Sequence, residues 1–221
     1  AGGAAPAAAT LRILDLRSGV LECRPASEGR WPATTRFVSL TRPGIVAVKA
    51  EGGPAQQWTR CPLQAPRLEG TETLAAAFSY HDGELGDGVW WAETRSDRAR
   101  VCAVSRQRSG NRPTGAWLER LSAFRGGASP QEVAHVLSEA AQMGFDELLA
   151  EHRRAWAERW EAADIEIEGD DSSQAAIRFA LFHLLSCAPT SGEAGVAARG
   201  LTGLAYAGHV FWDSDVFVLP V

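Results

Sequence analysis

The sequence has little of what marks membrane proteins, redox proteins and nucleic-acid-binding proteins. It has no apolar run near the roughly 18 residues that a membrane-spanning helix needs. Its four cysteines are scattered and form no CxxC pair, which argues against a zinc ribbon or a thiol redox motif. The net charge of -5 argues against a nucleic-acid partner, because such proteins neutralise phosphates with Lys and Arg. We therefore expect neither a membrane nor a nucleic acid among the partners, and a reduced, cytoplasmic location.

Familiar catalytic and metal-binding signatures are missing as well. The stretch GVAARGLT has the glycine spacing of a phosphate-binding loop but lacks its lysine. There is no G-x-S-x-G elbow to present a nucleophilic serine. His209 and Asp213 are four residues apart, yet nothing nearby in the sequence supplies a third metal ligand. We therefore expect no metal and no organic cofactor.

The first half of the chain has the pattern of an antiparallel β-sandwich. From residue 11 to about residue 108, apolar and polar residues alternate with period two between turn residues. Turns are predicted at 41–44, at Asp82-Gly83 and at Asp87-Gly88. The segment NRPTGAW is expected to end this strand pattern.

The second half changes to helical periodicity. Ser129, followed by Pro130 and by Glu132 in a capping box, predicts a helix to about Gln142 that ends at Gly144. A second helix is predicted from about Phe145 to Ala162, then a short strand at DIEIEGD with Glu166 and Glu168 on its solvated face. A third helix, over 173–186, is apolar on nearly every side, which is typical of a helix buried in a larger helical domain. The apolar end, DVFVLPV, favours a piece of a longer protein.

One short stretch, GHVFWDSDVF, combines aromatic rings with carboxylates. A sugar site uses both, since Trp212 offers a flat apolar face and Asp213 can accept hydrogen bonds from hydroxyl groups. The alternative is structural: Phe211, Trp212 and Phe217 belong to a core, and Asp213 caps a helix that begins near Ser214.

The order of five segments resembles glycoside hydrolase family 65. These segments are LDLRSGVL, TRFVSLTRPGIVAVKAE, AWAERWEAADIEIEGD, QAAIRFALFHLLS and ARGLTGLAYAGHVFWDSDVFVLP. The family includes maltose, trehalose and kojibiose phosphorylases and some α-glucoside hydrolases. The resemblance implies a multi-domain β + α protein: residues 1–108 as the C-terminal part of an N-terminal antiparallel β-sandwich, 109–168 as a helical linker, and 169–221 as the truncated beginning of an (α/α)6-barrel catalytic domain.

The resemblance also implies an activity and a binding site. Family phosphorylases invert configuration, converting an α-glucosidic disaccharide and phosphate into β-glucose 1-phosphate and glucose. By residue-to-residue match, Trp212 and Asp213 line the pocket for the transferred glucosyl unit, Phe211 and His209 form its wall and support, and Arg199 is the basic residue before the LTG turn. The catalytic glutamic acid and the phosphate loop are expected beyond Val221. No catalytic residue is therefore assigned within the chain, which we expect to be inactive by itself.

Several points stay open at this stage. The implied partners are the disaccharide and inorganic phosphate, with a homodimer expected for the full-length protein. The alternatives are an α-glucoside hydrolase of the same family, in which water replaces phosphate, and a carbohydrate-binding module without chemistry. The chain departs from the family pattern at Leu204, Ala207 and Ser214-Asp215, and the loss of a charge at 204 and 207 leaves the particular disaccharide undetermined.

Overall fold

The computed structural model describes residues 10–25, 32–52, 79–95, 100–188, 195–198, 200, 209–212 and 216. The described residues form eight strands and three helices: β1 Thr10–Asp15, β2 Val20–Pro25, β3 Ala33–Val38, β4 Ile45–Glu51, β5 Ser79–Gly86, β6 Val89–Arg95, β7 Arg100–Arg112, β8 Gly115–Gly126, α1 Pro130–Met143, α2 Phe145–Ala163 and α3 Asp171–Cys187. The strands make one sheet of order β1-β2-β3-β4-β8-β7-β6-β5. Every neighbouring pair is antiparallel.

The main core lies between one face of this sheet and the helices α1 and α2. Ile45 of β4 pairs with Ala123 of β8, and Ala47 pairs with Leu121, so the four side chains share a face. They are buried with Val133, Leu137 and Ala140 of α1 and with Phe145 and Leu148 of α2. The apolar residues of α1 recur at the spacing that puts them on one side of a helix.

The predicted helix boundaries are confirmed. Ser129 caps α1, because its side chain accepts from the Glu132 backbone N–H while the Glu132 carboxylate accepts from the Ser129 backbone N–H at 2.7 Å. The Ser129 backbone N–H and the Ser129 hydroxyl, which both donate to the Glu132 carboxylate, lower the pKa of Glu132. Gly144 ends α1 with a φ of 81°, and α2 begins directly after it. The third helix is also found, with Asp170 as its N-cap.

The prediction that the strand pattern ends near residue 108 is wrong. Strand β7 continues to Arg112, and β8 returns beside it from Gly115, with Arg112 and Gly115 paired across the turn. The segment NRPTGAW is therefore a hairpin, and β8 extends the sheet to Gly126. Because β8 lies between β4 and β7 in the sheet, its backbone hydrogen bonds are satisfied on both sides.

Two smaller predictions also fail. The segment DIEIEGD is irregular, because the Gln174 side chain donates to the Ile165 carbonyl at 2.8 Å and accepts from the Ile167 N–H at 2.7 Å, where a partner strand was expected. Asp82 and Gly83 lie within β5, and the turn is formed by Asp87 and Gly88. Gly83 packs against the Trp91 indole of the neighbouring strand, at a distance that leaves no room for a Cβ atom.

The predicted fold class is correct at the coarser level. The β-rich first part is antiparallel and is followed by helices, and within the described residues it forms a single sheet. Helix α3 buries Leu181 and Phe182, while Phe179 is 54% exposed. The beginning of an (α/α)6-barrel and the domain boundaries stay predictions.

Candidate substrate-binding site

Side chains of α2 form hydrogen bonds and an ion pair with two loops at one end of the sheet. The Trp160 indole N–H donates to the Leu16 carbonyl at 2.9 Å, and the Leu40 N–H donates to the His152 Nδ1 at 3.2 Å. Glu151 pairs with Arg42 at 3.2 Å. A hydrogen bond from Thr41 and the contact with Arg42 lower the pKa of Glu151. The β1–β2 turn and the β3–β4 loop therefore determine where α2 lies.

Helix α3 is in turn held by α2. The Phe182 ring stacks on Trp156 with centroids 5.1 Å apart, in a small aromatic core that also includes Trp160 and Leu181. Arg178 of α3 forms a bidentate ion pair with Asp164, the residue that follows the end of α2. Its Nε and Nη2 atoms donate to the two carboxylate oxygens at 2.9 and 2.6 Å. This pairing lowers the pKa of Asp164 and raises that of Arg178.

The stretch predicted to bind sugar follows α3, and its described residues His209 and Val210 lie beside residues 195–198. Gly200 lies next to the Cys187 side chain at the end of α3. The Ala198 N–H donates to the His209 carbonyl at 3.2 Å, and Val210 packs so closely on Gly195 that a Cβ atom there would be 2.7 Å from a Val210 methyl group. His209 and Val210 thus contact residues 195–198, and Gly200 contacts the Cys187 side chain at the end of α3.

Three of the five predicted binding residues fall within the described part of the chain. The Trp212 side chain is 82% exposed and Phe211 is 42% exposed, and His209 is exposed as well. Arg199 and Asp213 lie outside the described residues. The five assignments therefore stay predictions.

The described residues contain no group of three or more His, Cys, Asp and Glu side chains arranged to hold a metal ion. Within the same ranges, no helix is long and apolar enough to cross a bilayer. Partial burial raises the pKa of the Cys187 thiol at the end of α3, because it disfavours the thiolate.

Sequence reasoning missed the importance of His152, which is 1% exposed and lies in the contact between α2 and the sheet. A signal was present, since His152, Trp156 and Trp160 recur at intervals of four along α2 and so share one face of the helix. The ring centroids of the two tryptophans are 6.4 Å apart.

Comparison with known proteins links the chain to carbohydrate-active enzymes. An uncharacterised glycosyl hydrolase of Mycobacterium tuberculosis is 30% identical over 95% of this chain and 33% of its own length. The kojibiose phosphorylase of Halothermothrix orenii is 46% identical over 38% of this chain and 11% of its own length. The α,α-trehalose phosphorylase of Thermoanaerobacter brockii is 42% identical over 38% of this chain and 11% of its own length.

A solved structure shares the fold. A human-microbiome protein with the provisional name of kojibiose phosphorylase matches 95% of this chain with a TM-score of 0.77 at 19% identity. The match covers 31% of that protein, and the chain spans about a third of the length of its mycobacterial relative. Residues 178–221 match the model of the glycosyl hydrolase family 65 central catalytic domain. With the phosphorylase relatives, that match confirms the resemblance of this chain to glycosyl hydrolase family 65.

Proposed function

We propose that a protein carrying this chain catalyses the inverting phosphorolysis of an α-glucosidic disaccharide. The observation that carries the proposal is the family 65 match over residues 178–221, which contains the FWD stretch, together with the named phosphorylases among the relatives. A nigerose phosphorylase of Lachnoclostridium phytofermentans, 38% identical over 38% of the chain, adds a further disaccharide to the candidates. Kojibiose, nigerose, trehalose and maltose are therefore the substrates to test.

In the proposed reaction, a phosphate oxygen attacks the anomeric carbon of the glucosyl unit from the face opposite the glycosidic bond. The glycosidic C–O bond breaks, and a glutamic acid gives its proton to the leaving oxygen. The products are β-glucose 1-phosphate and the second sugar. We expect this acid and the phosphate-binding loop elsewhere in the catalytic domain, outside the present 221 residues.

The contribution of this chain would be to hold the transferred glucosyl unit. Trp212 supplies an apolar face, and Asp213 accepts hydrogen bonds from sugar hydroxyls, with Phe211, His209 and Arg199 around them. The exposure of the Trp212 indole supports this role, because a sugar ring can reach it. A cytoplasmic location and a homodimer belong to the same proposal.

The test uses a longer protein in which these 221 residues are followed by a complete family 65 catalytic domain. Each disaccharide is incubated with and without inorganic phosphate, and glucose and β-glucose 1-phosphate are measured. A phosphorylase forms the two products in equal amounts, and only when phosphate is present. Release of two sugars without phosphate would identify the hydrolase alternative, and binding without turnover would identify a carbohydrate-binding module.

A further inference from the structure

His152 is a fully buried histidine at the point where α2 contacts the sheet. Its ring is 1% exposed and stacks on Phe37 of β3, with centroids 4.7 Å apart. The Trp156 ring, on the next turn of α2, lies nearly perpendicular to it with centroids 6.4 Å apart. Its Nδ1 accepts the Leu40 backbone N–H from the β3–β4 loop at 3.2 Å.

This hydrogen bond requires the neutral form of the ring. An imidazole nitrogen that accepts a hydrogen bond carries no proton, so the proton of neutral His152 lies on Nε2. Nε2 is buried and makes no hydrogen bond within the described residues. Burial lowers the pKa of His152, and the nearby Ser18 and Gly19 backbone opposes that shift only in part.

The described residues around the ring offer no counter-charge to a protonated imidazole. On α2, Arg153 disfavours a second positive charge. The Glu151 carboxylate already pairs with Arg42 of the β3–β4 loop. On the β1–β2 turn, the Asp15 carboxylate accepts from the Ser18 hydroxyl and from the Arg17 N–H. From β3, the ring meets the uncharged Phe37.

We propose that His152 is an acid-sensitive latch that holds α2 on the sheet. Protonation of Nδ1 converts the acceptor into a donor, so that two N–H groups face each other at Leu40 and an unpaired cation is buried. Both effects favour separation of α2 from the β3–β4 loop and the β1–β2 turn. Because α2 holds α3 through the Trp156–Phe182 stack, the latch also controls the position of α3 relative to the sheet. The inference does not depend on the proposed function.

The direction of the pH effect follows from linkage. The pKa of His152 is lower in the docked state than the ordinary value of about 6.5. Docking is therefore fully stable above that value and weakens as the pH falls toward the lowered pKa. Between the ordinary pKa and the lowered one, the equilibrium constant for opening rises by at most about tenfold per pH unit, because the open state binds at most one more proton.

Amide hydrogen exchange of the 221-residue chain between pH 7.5 and pH 5, corrected for the intrinsic pH dependence of exchange, tests the latch. We expect opening at Leu40 and along α2 to increase, by at most about tenfold per pH unit, as the pH falls below about 6.5, while the paired strands β7 and β8 stay protected. An opening constant at Leu40 that is independent of pH would overturn the proposal. Opening of β7 and β8 in parallel with α2 would also overturn it, since the event would then be global.

Two variants sharpen the test. His152→Asn places an amide oxygen near the position of Nδ1 but cannot be protonated, so its opening should be independent of pH. His135→Asn, at an exposed position on α1, should behave as the unmodified chain does. If His152→Asn does not fold, NMR of the His152 ring in the unmodified chain decides the matter. Ring protonation must coincide with opening at Leu40, and protonation without opening refutes the latch.

Discussion

The indole of Trp156 lies directly against Gly19, so that a Cβ atom on Gly19 would overlap the indole nitrogen. Gly19 is the turn residue that leads into β2, and its φ of 61° is one that L residues with a side chain rarely adopt. Glycine is therefore favoured at this position for two reasons: the turn needs a left-handed backbone, and the packing of α2 leaves no space for a side chain. This contact connects the β1–β2 turn to the aromatic core between α2 and α3.

Gly19→Ala should lower the free energy of unfolding by about 2 kcal/mol or more, because left-handed strain adds to the overlap with Trp156. Gly127→Ala is the matched control, since Gly127 has a φ of 74° but open space around it, and it should cost only about 1 kcal/mol. Urea unfolding measures both. Equal losses in the two variants would show that the Trp156 contact contributes nothing.

Ser129→Ala should lower the free energy of unfolding by about 0.5–2 kcal/mol, because it removes the side chain that caps α1. Ser138→Ala makes the same change at an exposed position within α1, where alanine is the better helix former, and should be neutral or slightly stabilising. Thermal unfolding followed by circular dichroism compares them. A loss of similar size in both variants would argue against the cap.

Phe179 should promote self-association of the 221-residue chain, since it is 54% exposed beside the aromatic ring of His183 on α3. Phe179→Asp should shift the chain toward the monomer in light scattering and reduce binding of a hydrophobic dye. Ala180→Asp, at the adjacent exposed position, adds the same charge without removing the ring. If the unmodified chain is a monodisperse monomer that binds no dye, the prediction is wrong.

The 221-residue chain by itself should not convert maltose, trehalose or kojibiose, with or without phosphate. The reason is that the proposed function places the catalytic acid and the phosphate loop outside these residues. The assay measures glucose and glucose 1-phosphate, with circular dichroism to establish that the chain is folded. Either product at a rate proportional to chain concentration would require a catalytic acid within the chain.

Asp213→Asn, in a protein with the complete catalytic domain, should lower kcat/KM by at least about tenfold. The substitution keeps the size of the side chain but weakens it as an acceptor. Hydrogen bonds to a charged group contribute roughly 1.5–3 kcal/mol, and about 1.4 kcal/mol corresponds to a factor of ten in rate. If Asp213 only caps a helix, stability falls by about 1 kcal/mol and the kinetics of the folded enzyme stay normal. Measuring kcat/KM and the thermal midpoint on one preparation separates the two roles.

The sequence by itself determined the helix ends, the strand alternation and the residue types of the FWD stretch, because each depends on residues close together in the chain. The boundary between α1 and α2 was predictable because a capping box begins α1 and a glycine ends it within a few residues of chain. The alternation in β3 and β4, and the turn between them, were predictable because one sheet face is buried and the other is not. The FWD stretch could be singled out because its residue types already limit the chemistry that it can do.

Tertiary structure alone decided what depends on partners distant in the chain. The segment at 164–170 alternates like a strand, but no strand of the described sheet pairs with it, and backbone groups of Ile165 and Ile167 bond to the Gln174 side chain instead. The segment NRPTGAW has the proline and glycine of a loop, yet it joins the two longest strands, because β4 and β7 together satisfy both edges of β8. The role of His152 depends on its hydrogen bond with the backbone N–H of Leu40, which lies 112 positions earlier in the chain. A side chain's partner across such a distance is set by how the elements pack, and periodicity along the sequence does not encode it.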